Sequence, residues 1–155
     1  MRTTIVPNLN QVSPAAWNEL RGTDNPFLRH EFLTALEQTG CVGPDTGWEP
    51  RHALLYADDG TTLLGAVPLY LKHHSYGEYV FDWAWADAYH RNGMAYYPKL
   101  VAAVPFTPAS GARLLLAPGV DADEAGTRLL AAARELADAE GCSSIHWLFP
   151  NATQT

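Results

Sequence analysis

Two aspartates in an aromatic segment have the residue type and the setting that acid–base chemistry needs. Asp82 stands between Phe81 and Trp83 in the string FDWAWAD, and Asp87 follows it five residues later. Aromatic neighbours remove water from a carboxylate and raise its pKa toward the range in which it can accept a proton from a substrate. We therefore take Asp82 as the first candidate general base and Asp87 as the second. Helix capping or a turn is the structural alternative for both.

A proline-rich loop, PFTPASGAR, has side chains that suit anion binding. Lys99 precedes the loop, Arg113 ends it, and Thr107, Ser110 and Gly111 lie within it. Cationic groups, hydroxyls and a flexible glycine can hold a phosphate through charge-assisted hydrogen bonds. The alternative is that both cations extend over the surface or pair with nearby acids.

The same region is rich in rings that could stack on a ligand. Residues 72–113 contain five of the seven tyrosines, and two of the five tryptophans are Trp83 and Trp85. Tyr96 and Tyr97 precede Pro98 and could stack on a base or sugar, or donate a hydrogen bond to an oxyanion. These aromatic side chains either form a ligand groove or belong to the core and its rim.

Charge and composition exclude several classes of protein. The net charge of −7 argues against general nucleic-acid binding. Four basic and three acidic residues give residues 72–113 a net charge of +1, so this region differs from the acidic remainder. Hydrophobic residues make up 47% of the chain and charged residues 17%, which predicts some apolar surface in need of a partner. Cys41 and Cys142 are far apart and show no metal-ligand spacing, so we expect reduced thiols and no metal site.

The length and the amino terminus indicate where the protein works. At 155 residues the chain has the size of one domain. It contains no apolar run of about 20 residues and no secretory signal at its amino terminus, so we expect a cytoplasmic protein without membrane insertion.

Periodicity and turn signals predict the elements that must position these residues. Ser13 and Pro14 predict a helix start, and Gly40 predicts the end of a second amphipathic helix. Asp58-Asp59-Gly60 predicts a hairpin turn between extended runs at 51–57 and 61–71. A long helix is predicted at 121–140, one or two helical turns at 86–92, and a loop after residue 149. Further strands are predicted at 3–6, 79–83, 100–104, 114–117 and 144–149.

This order of elements resembles the first two thirds of a GNAT acyltransferase domain. The strings NPFLRHEFLTALEQTG, GWEPRHALLY, YGEYVFDWAWADAYHRNG and VPFTPASGARLL are more specific, since together they resemble the amino-terminal part of the Fem-like family of peptidoglycan biosynthesis or recognition proteins. The resemblance covers about residues 25–118. It implies an α+β fold with a mixed, mostly antiparallel central sheet flanked by helices. It also implies that residues 1–155 are a single GNAT-like domain, incomplete at its carboxyl end, from a two-lobed protein.

The resemblance further implies an amide-forming acyl- or aminoacyl-transferase. Its substrate would be a small molecule or a nucleotide-linked precursor, and its donor could be an aminoacyl-tRNA. Acetyl-CoA is not expected, because Asp121, Asp123 and Glu124 open the long helix with carboxylates that would repel a pyrophosphate. Two alternatives stay open: a non-catalytic lobe that binds a ligand or plays a structural part, and an acetyl-CoA enzyme with a degenerate loop. The aromatic middle region would meet a ligand, the second lobe or another copy of the chain.

Overall fold

The computed structural model describes residues 1–152 and 154, which contain eight strands and four α-helices. Short 3₁₀ turns at Pro26–Leu28 and Pro44–Thr46 precede α2 and β2. The helices are α1 (Pro14–Asn18), α2 (His30–Gln38), α3 (Trp83–Arg91) and α4 (Ala122–Ala139). The strands are β1 (Arg2–Val6), β2 (Trp48–Pro50), β3 (His52–Tyr56), β4 (Leu63–Val67), β5 (Leu69–Lys72), β6 (Lys99–Ala102), β7 (Leu115–Leu116) and β8 (Ile145–Trp147).

The predicted helix starts are confirmed by their capping hydrogen bonds. The Ser13 side chain accepts a hydrogen bond from the Ala16 amide at the start of α1. Asp121 accepts hydrogen bonds from the amides of Asp123 and Glu124 at the start of α4. Such side chains satisfy amides that have no partner within the helix, so the sequence alone sets these boundaries.

The strands form two four-stranded sheets, in the orders β1-β3-β4-β7 and β2-β5-β6-β8. The predicted hairpin is confirmed, since β3 pairs antiparallel with β4. The predicted run at 61–71, however, is divided at Pro68 into β4 and β5, which belong to different sheets. Proline cannot donate a ladder hydrogen bond, and the Arg51 amide bonds to the Leu69 carbonyl across the division at 2.8 Å. The two sheets are therefore two halves of one bent surface.

One parallel pair exists among the described strands, β6 with β8, and β7 and α4 lie between its two members in the chain. Strand β7 pairs antiparallel with β4, whereas β8 pairs with β6. The mixed, mostly antiparallel α+β fold predicted from the sequence is confirmed. Strand β7 is the edge strand of its sheet, and on its outer side the Arg21 amide donates to the Leu116 carbonyl at 2.8 Å.

The core lies on both sides of the bent sheets. Trp17, Leu54 and Leu115 belong to the cluster under α1 and α2. Leu129 and Ala133 of α4 pack in a second cluster that covers the opposite side. No helix in the described part of the chain is both long and apolar enough to cross a membrane.

The sequence prediction fails for the segment before α3. An extended conformation is predicted at 79–83, but Tyr79 has a φ of 58° and α3 already begins at Trp83. The helix ends before Gly93, as predicted, and Gly93 has a φ of 70°. Aromatic residues favour strands, and here tertiary contacts override that propensity. Thr153 and Thr155 of the predicted carboxyl-terminal loop lie outside the described residues.

Candidate functional site

The two lysines of the chain, Lys72 and Lys99, face each other across neighbouring strands. Lys72 ends β5 and Lys99 begins β6, and the two residues are register partners. Like charges directly opposite each other destabilise a sheet unless acids compensate them. The segment that connects the strands supplies two carboxylates, Glu78 and Asp82. We call the group formed by Lys72, Ser75, Glu78, Asp82, Tyr96 and Lys99 the buried charge cluster.

Lys99 donates hydrogen bonds to three other members of the buried charge cluster. Its Nζ donates to Glu78 Oε2 at 2.8 Å, to Asp82 Oδ2 at 2.5 Å and to Ser75 Oγ at 3.0 Å. The Lys72 ammonium lies 3.8 Å from the centre of the Trp48 ring and donates to the Tyr76 carbonyl at 3.1 Å. All four charged side chains are buried, so the cluster is a closed ionic network inside the protein.

The environment of Asp82 is the reverse of the one predicted. Burial alone would raise its pKa, but hydrogen bonds, the largest from Lys99, outweigh burial and lower the pKa to about 2. Tyr96 Oη also donates to Asp82 Oδ2 at 2.7 Å, and burial together with this bond raises the pKa of Tyr96. The expectation of a raised Asp82 pKa is therefore wrong, because the Lys99 ammonium bonds to the carboxylate that the aromatic residues flank. The general-base role of Asp82 stays a prediction.

In Lys72 and Glu78, burial outweighs the neighbouring opposite charges and favours the neutral forms. Burial lowers the pKa of Lys72 to about 7 and raises that of Glu78. Their charged atoms are 3.9 Å apart. Among the described residues, Glu78 Oε1 and Asp82 Oδ1 accept no hydrogen bond.

Arg113 is separate from the buried charge cluster and ties the proline-rich loop to the end of β8. Its side chain is fully buried and donates to the carbonyls of Leu148, Ala112 and Ala109 at 2.8, 3.0 and 2.8 Å. Burial lowers its pKa to about 10. The expectation of two cations open to a phosphate is not met, since the head groups of Arg113 and Lys99 are both enclosed and bonded within the protein.

The remaining predicted site residues fall into two groups. Tyr97 joins the edge of the buried charge cluster through a 2.7 Å hydrogen bond between its hydroxyl and Ser75 Oγ. The others lie apart from it. On α3, Asp87 is exposed and pairs with Arg91 at 2.5 Å, and Trp83 and Trp85 are exposed. In the proline-rich loop, Thr107 donates to the Pro105 carbonyl, the Gly111 amide donates to the Phe149 carbonyl, and Ser110 is exposed. Their catalytic and ligand-binding roles stay predictions.

The sequence prediction also missed three members of the cluster, Lys72, Ser75 and Glu78. A signal for two of them exists in the charge pattern. The chain has two lysines, both at strand ends that flank a segment containing Glu78 and Asp82, and the surrounding region is nearly neutral. A near-zero net charge in a region with several charged residues indicates that these residues pair with one another. Ser75 has no comparable signal.

A cleft of about 660 Å³ lies beside β7, and its size is that of a small-molecule site. It is bounded by the start of α4, the turn after α1 and the chain that follows β8. The charged side chains at its rim are Arg21, Asp24 and Asp123. Its apolar lining consists of Ala112, Leu114, Leu116, Ala117, Val120 and Ala122.

The cleft has a defined shape because the turn at Gly22 approaches Ala112 closely. Gly22 has a φ of 99°, and a Cβ at this position would lie 2.6 Å from the Cβ of Ala112. Of the acids at the start of α4, Asp121 acts as the cap and accepts the amides of Asp123 and Glu124. No group of three or more His, Cys, Asp or Glu side chains among the described residues is arranged to hold a metal ion.

Fold and site together define an α+β protein with a ligand-sized cleft beside the edge strand β7. Residues 8–155 match the model of the FemAB-like family, which is described as peptidoglycan biosynthesis/recognition. The chain belongs to this family, as its sequence resemblance predicts. Comparison with curated proteins and with solved structures gave no match.

Proposed function

We propose that the chain is the ligand-holding, GNAT-like lobe of an amide-forming acyl- or aminoacyl-transferase that acts on a cell-wall precursor in the cytoplasm. The observation that carries this proposal is the 660 Å³ cleft between β7 and the start of α4. GNAT acyltransferases, which the sequence resembles, bind their donor between the central strand and the long helix. Family membership supports a peptidoglycan-related role.

The topology is consistent with a GNAT-like lobe. A strand, two helices and the short β2 precede an antiparallel hairpin, and β7 and a long helix lie between the two parallel strands in the chain. The cleft is lined by Leu116 of β7 and by Ala122 and Asp123 at the start of α4.

The charges around the cleft favour a ligand with an amine over acetyl-CoA. Asp24 and Asp123 place two carboxylates at the rim, and Arg21 adds one cation. Asp123 also stands in the first turn of α4, so the helix end that would attract a pyrophosphate carries negative charge. A carboxylate can hold the amine of an acceptor or of an aminoacyl group while Arg21 holds an anionic group nearby.

A second candidate is a recognition lobe that binds the precursor without transferring anything to it. The hydrogen bonds from Lys99 and Tyr96 to Asp82 favour this candidate, since a buried carboxylate with a pKa of about 2 is a poor general base near neutral pH. The family description includes recognition as well as biosynthesis.

Calorimetric titration tests the cleft as the ligand site. We expect binding of a nucleotide-linked muramyl pentapeptide and none of acetyl-CoA. Arg21→Ala and Asp123→Asn should each weaken binding about tenfold, the effect of losing one charge-assisted hydrogen bond. Arg134→Ala and Asp138→Asn are matched controls on the exposed part of α4 and should leave binding unchanged. Binding of acetyl-CoA, or equal losses in the controls, would contradict the proposal.

Mass spectrometry separates the two candidate functions. The protein is incubated with the muramyl pentapeptide precursor and a mixture of charged tRNAs. A precursor heavier by one amino-acid residue supports the transferase. Binding without a change in mass supports the recognition lobe.

A further inference from the structure

The chain that connects β5 to β6 is much longer than two neighbouring antiparallel strands require. Such strands can be joined by a two-residue hairpin, yet here the connection runs from the end of β5 at Lys72 to the start of β6 at Lys99 and includes α3. Residues 75–97 make up most of this connection, and we call them the 75–97 segment. The contacts that hold this segment determine whether it moves with the sheet or by itself.

The inner side of the 75–97 segment is polar. Four of its residues are buried, and all four belong to the buried charge cluster: Ser75, Glu78, Asp82 and Tyr96. The first three accept hydrogen bonds from Lys99 Nζ, and the Tyr96 hydroxyl donates to Asp82. Charged and hydroxyl groups therefore hold the segment over Lys99.

The outer side of the 75–97 segment is apolar, which is the reverse of an ordinary amphipathic element. Val80 packs, partly buried, against the core cluster that contains Trp48. Because burial of apolar surface is the main favourable term in folding, this term contributes little to holding the segment against the sheets. Six of the eight large hydrophobic side chains exposed in the described residues belong to the segment: Tyr76, Tyr79, Phe81, Trp83, Trp85 and Met94.

Backbone hydrogen bonds do not tie the segment to the sheets either. In the described chain, each amide of residues 75–97 that donates to a backbone carbonyl does so within the segment. The bonds from the rest of the molecule to its backbone come from side chains. The Trp48 indole donates to the Tyr76 carbonyl at 2.9 Å, and the Ser143 hydroxyl donates to the Tyr96 carbonyl.

The closed arrangement of the buried charge cluster costs free energy. Removal of two ammonium groups and two carboxylates from water is unfavourable, and their attraction compensates for it only where the hydrogen bonds are complete. Glu78 Oε1 and Asp82 Oδ1 are buried and accept no hydrogen bond from the described residues. Lys72 Nζ is 3.9 Å from Glu78 Oε1, too far for a hydrogen bond. Water would satisfy these atoms if the segment moved away from the sheet.

We propose that the 75–97 segment is a lid that opens as one unit, with the buried charge cluster as its latch. Opening leaves both sheets intact, because no ladder pair of either sheet includes these residues. Local opening of this kind is typical of regions that bury few apolar contacts. It uncovers Lys72 and Lys99, so an anionic ligand reaches these two side chains only in the open state. This inference does not depend on the proposed transferase or recognition function.

Lysine acetylation measures the opening, because the chain has two lysines and the closed lid covers both. The chain is treated with the N-hydroxysuccinimide ester of acetic acid, and peptide mass spectrometry follows each lysine over time. We expect Lys72 and Lys99 to be protected by the same factor relative to the chain unfolded in urea. Asp82→Asn should accelerate labelling of both at least about tenfold, since it removes a charge-assisted hydrogen bond from the latch. Asp87→Asn, the matched control on the exposed side of α3, should leave both rates unchanged.

Val67→Ala separates lid opening from unfolding of the whole chain. Val67 is buried in β4, so its truncation destabilises the core without touching the latch. We expect hydrogen exchange of the β3 amides to accelerate in this variant, while lysine labelling keeps its wild-type rate.

Three results would overturn the inference. The first is lysine labelling that accelerates in Val67→Ala as much as exchange of the β3 amides does, since the lysines would then be reached only by global unfolding. The second is unequal protection of Lys72 and Lys99, which would mean that the cluster opens in parts. The third is the same labelling rate in Asp82→Asn and Asp87→Asn. The first two results are obtained without any change in the cluster, so they decide the question even if Asp82→Asn does not fold.

Discussion

Lys99 is enclosed by the protein and bonded to two carboxylates, so its loss leaves charges in the interior without a partner. We expect Lys99→Met to lower the free energy of unfolding by about 3–5 kcal/mol, measured by urea denaturation. Arg128→Met is the control, since it removes the exposed Arg128–Glu124 pair and should cost less than about 1 kcal/mol. Equal losses in the two variants would mean that the cluster is not closed to water.

Lys72 gives the stability a pH dependence with a definite sign. Its pKa is about 7 in the folded protein and 10.5 ordinarily. Between these values the unfolded chain binds a proton that the folded chain does not, so this residue makes stability rise as pH rises. We expect urea denaturation to reveal this rise from about pH 7 upward, and Lys72→Met to reduce it. The same slope in both proteins would contradict the lowered pKa.

At this scale the sequence predicts residue types better than residue partners. Asp82, Lys99 and Tyr96 are candidates from sequence alone, and the structure joins them in one cluster. Lys72, Ser75 and Glu78 complete it, and the pKa of Asp82 falls because of its hydrogen-bond partners rather than the flanking rings. Partners 17 to 24 positions from Lys99 depend on the path of the chain, which local pattern does not specify.

Among the elements, α4 begins at a cap that the sequence already shows. Asp121→Ala should lower the free energy of unfolding by about 1 kcal/mol, because two amides of the first turn lose their acceptor. The matched control is Asp138→Ala in the exposed last turn, where an acid opposes the helix dipole and its removal should cost nothing. Urea denaturation of both variants measures the difference. A loss in Asp138→Ala as large as in Asp121→Ala would contradict the cap.

Elements with strong local signals are predicted well, and those set by distant contacts are not. The caps at Ser13 and Asp121 and the hairpin turn at Gly60 are local, and all three are found as predicted. The division at Pro68 depends on pairing with two different sets of strands. The strand predicted at 79–83 is not formed, whereas the helical turns predicted at 86–92 are found in α3, which begins earlier, at Trp83.

In the whole molecule, Arg113 joins the proline-rich loop to the chain that follows β8. We expect Arg113→Met to leave buried carbonyls without donors, costing about 1–3 kcal/mol for each group. Hydrogen exchange should accelerate at the amides of Gly111 and Asn151, which bond across this junction. Arg134→Met, an exposed control on α4, should change neither amide. Unchanged exchange in Arg113→Met would mean that other contacts hold the loop.

The sequence by itself determined the helices with caps, the hairpin, the mixed α+β class and the family to which the chain belongs. Each of these depends on residues close together in the chain or on recognisable strings. Only the tertiary structure decided that the predicted cations are enclosed, that a cleft opens beside β7 and that α3 exposes its rings. The reason is that burial and charge pairing are set by side chains brought together from distant positions. Water removal around a group therefore cannot be read from its neighbours in sequence.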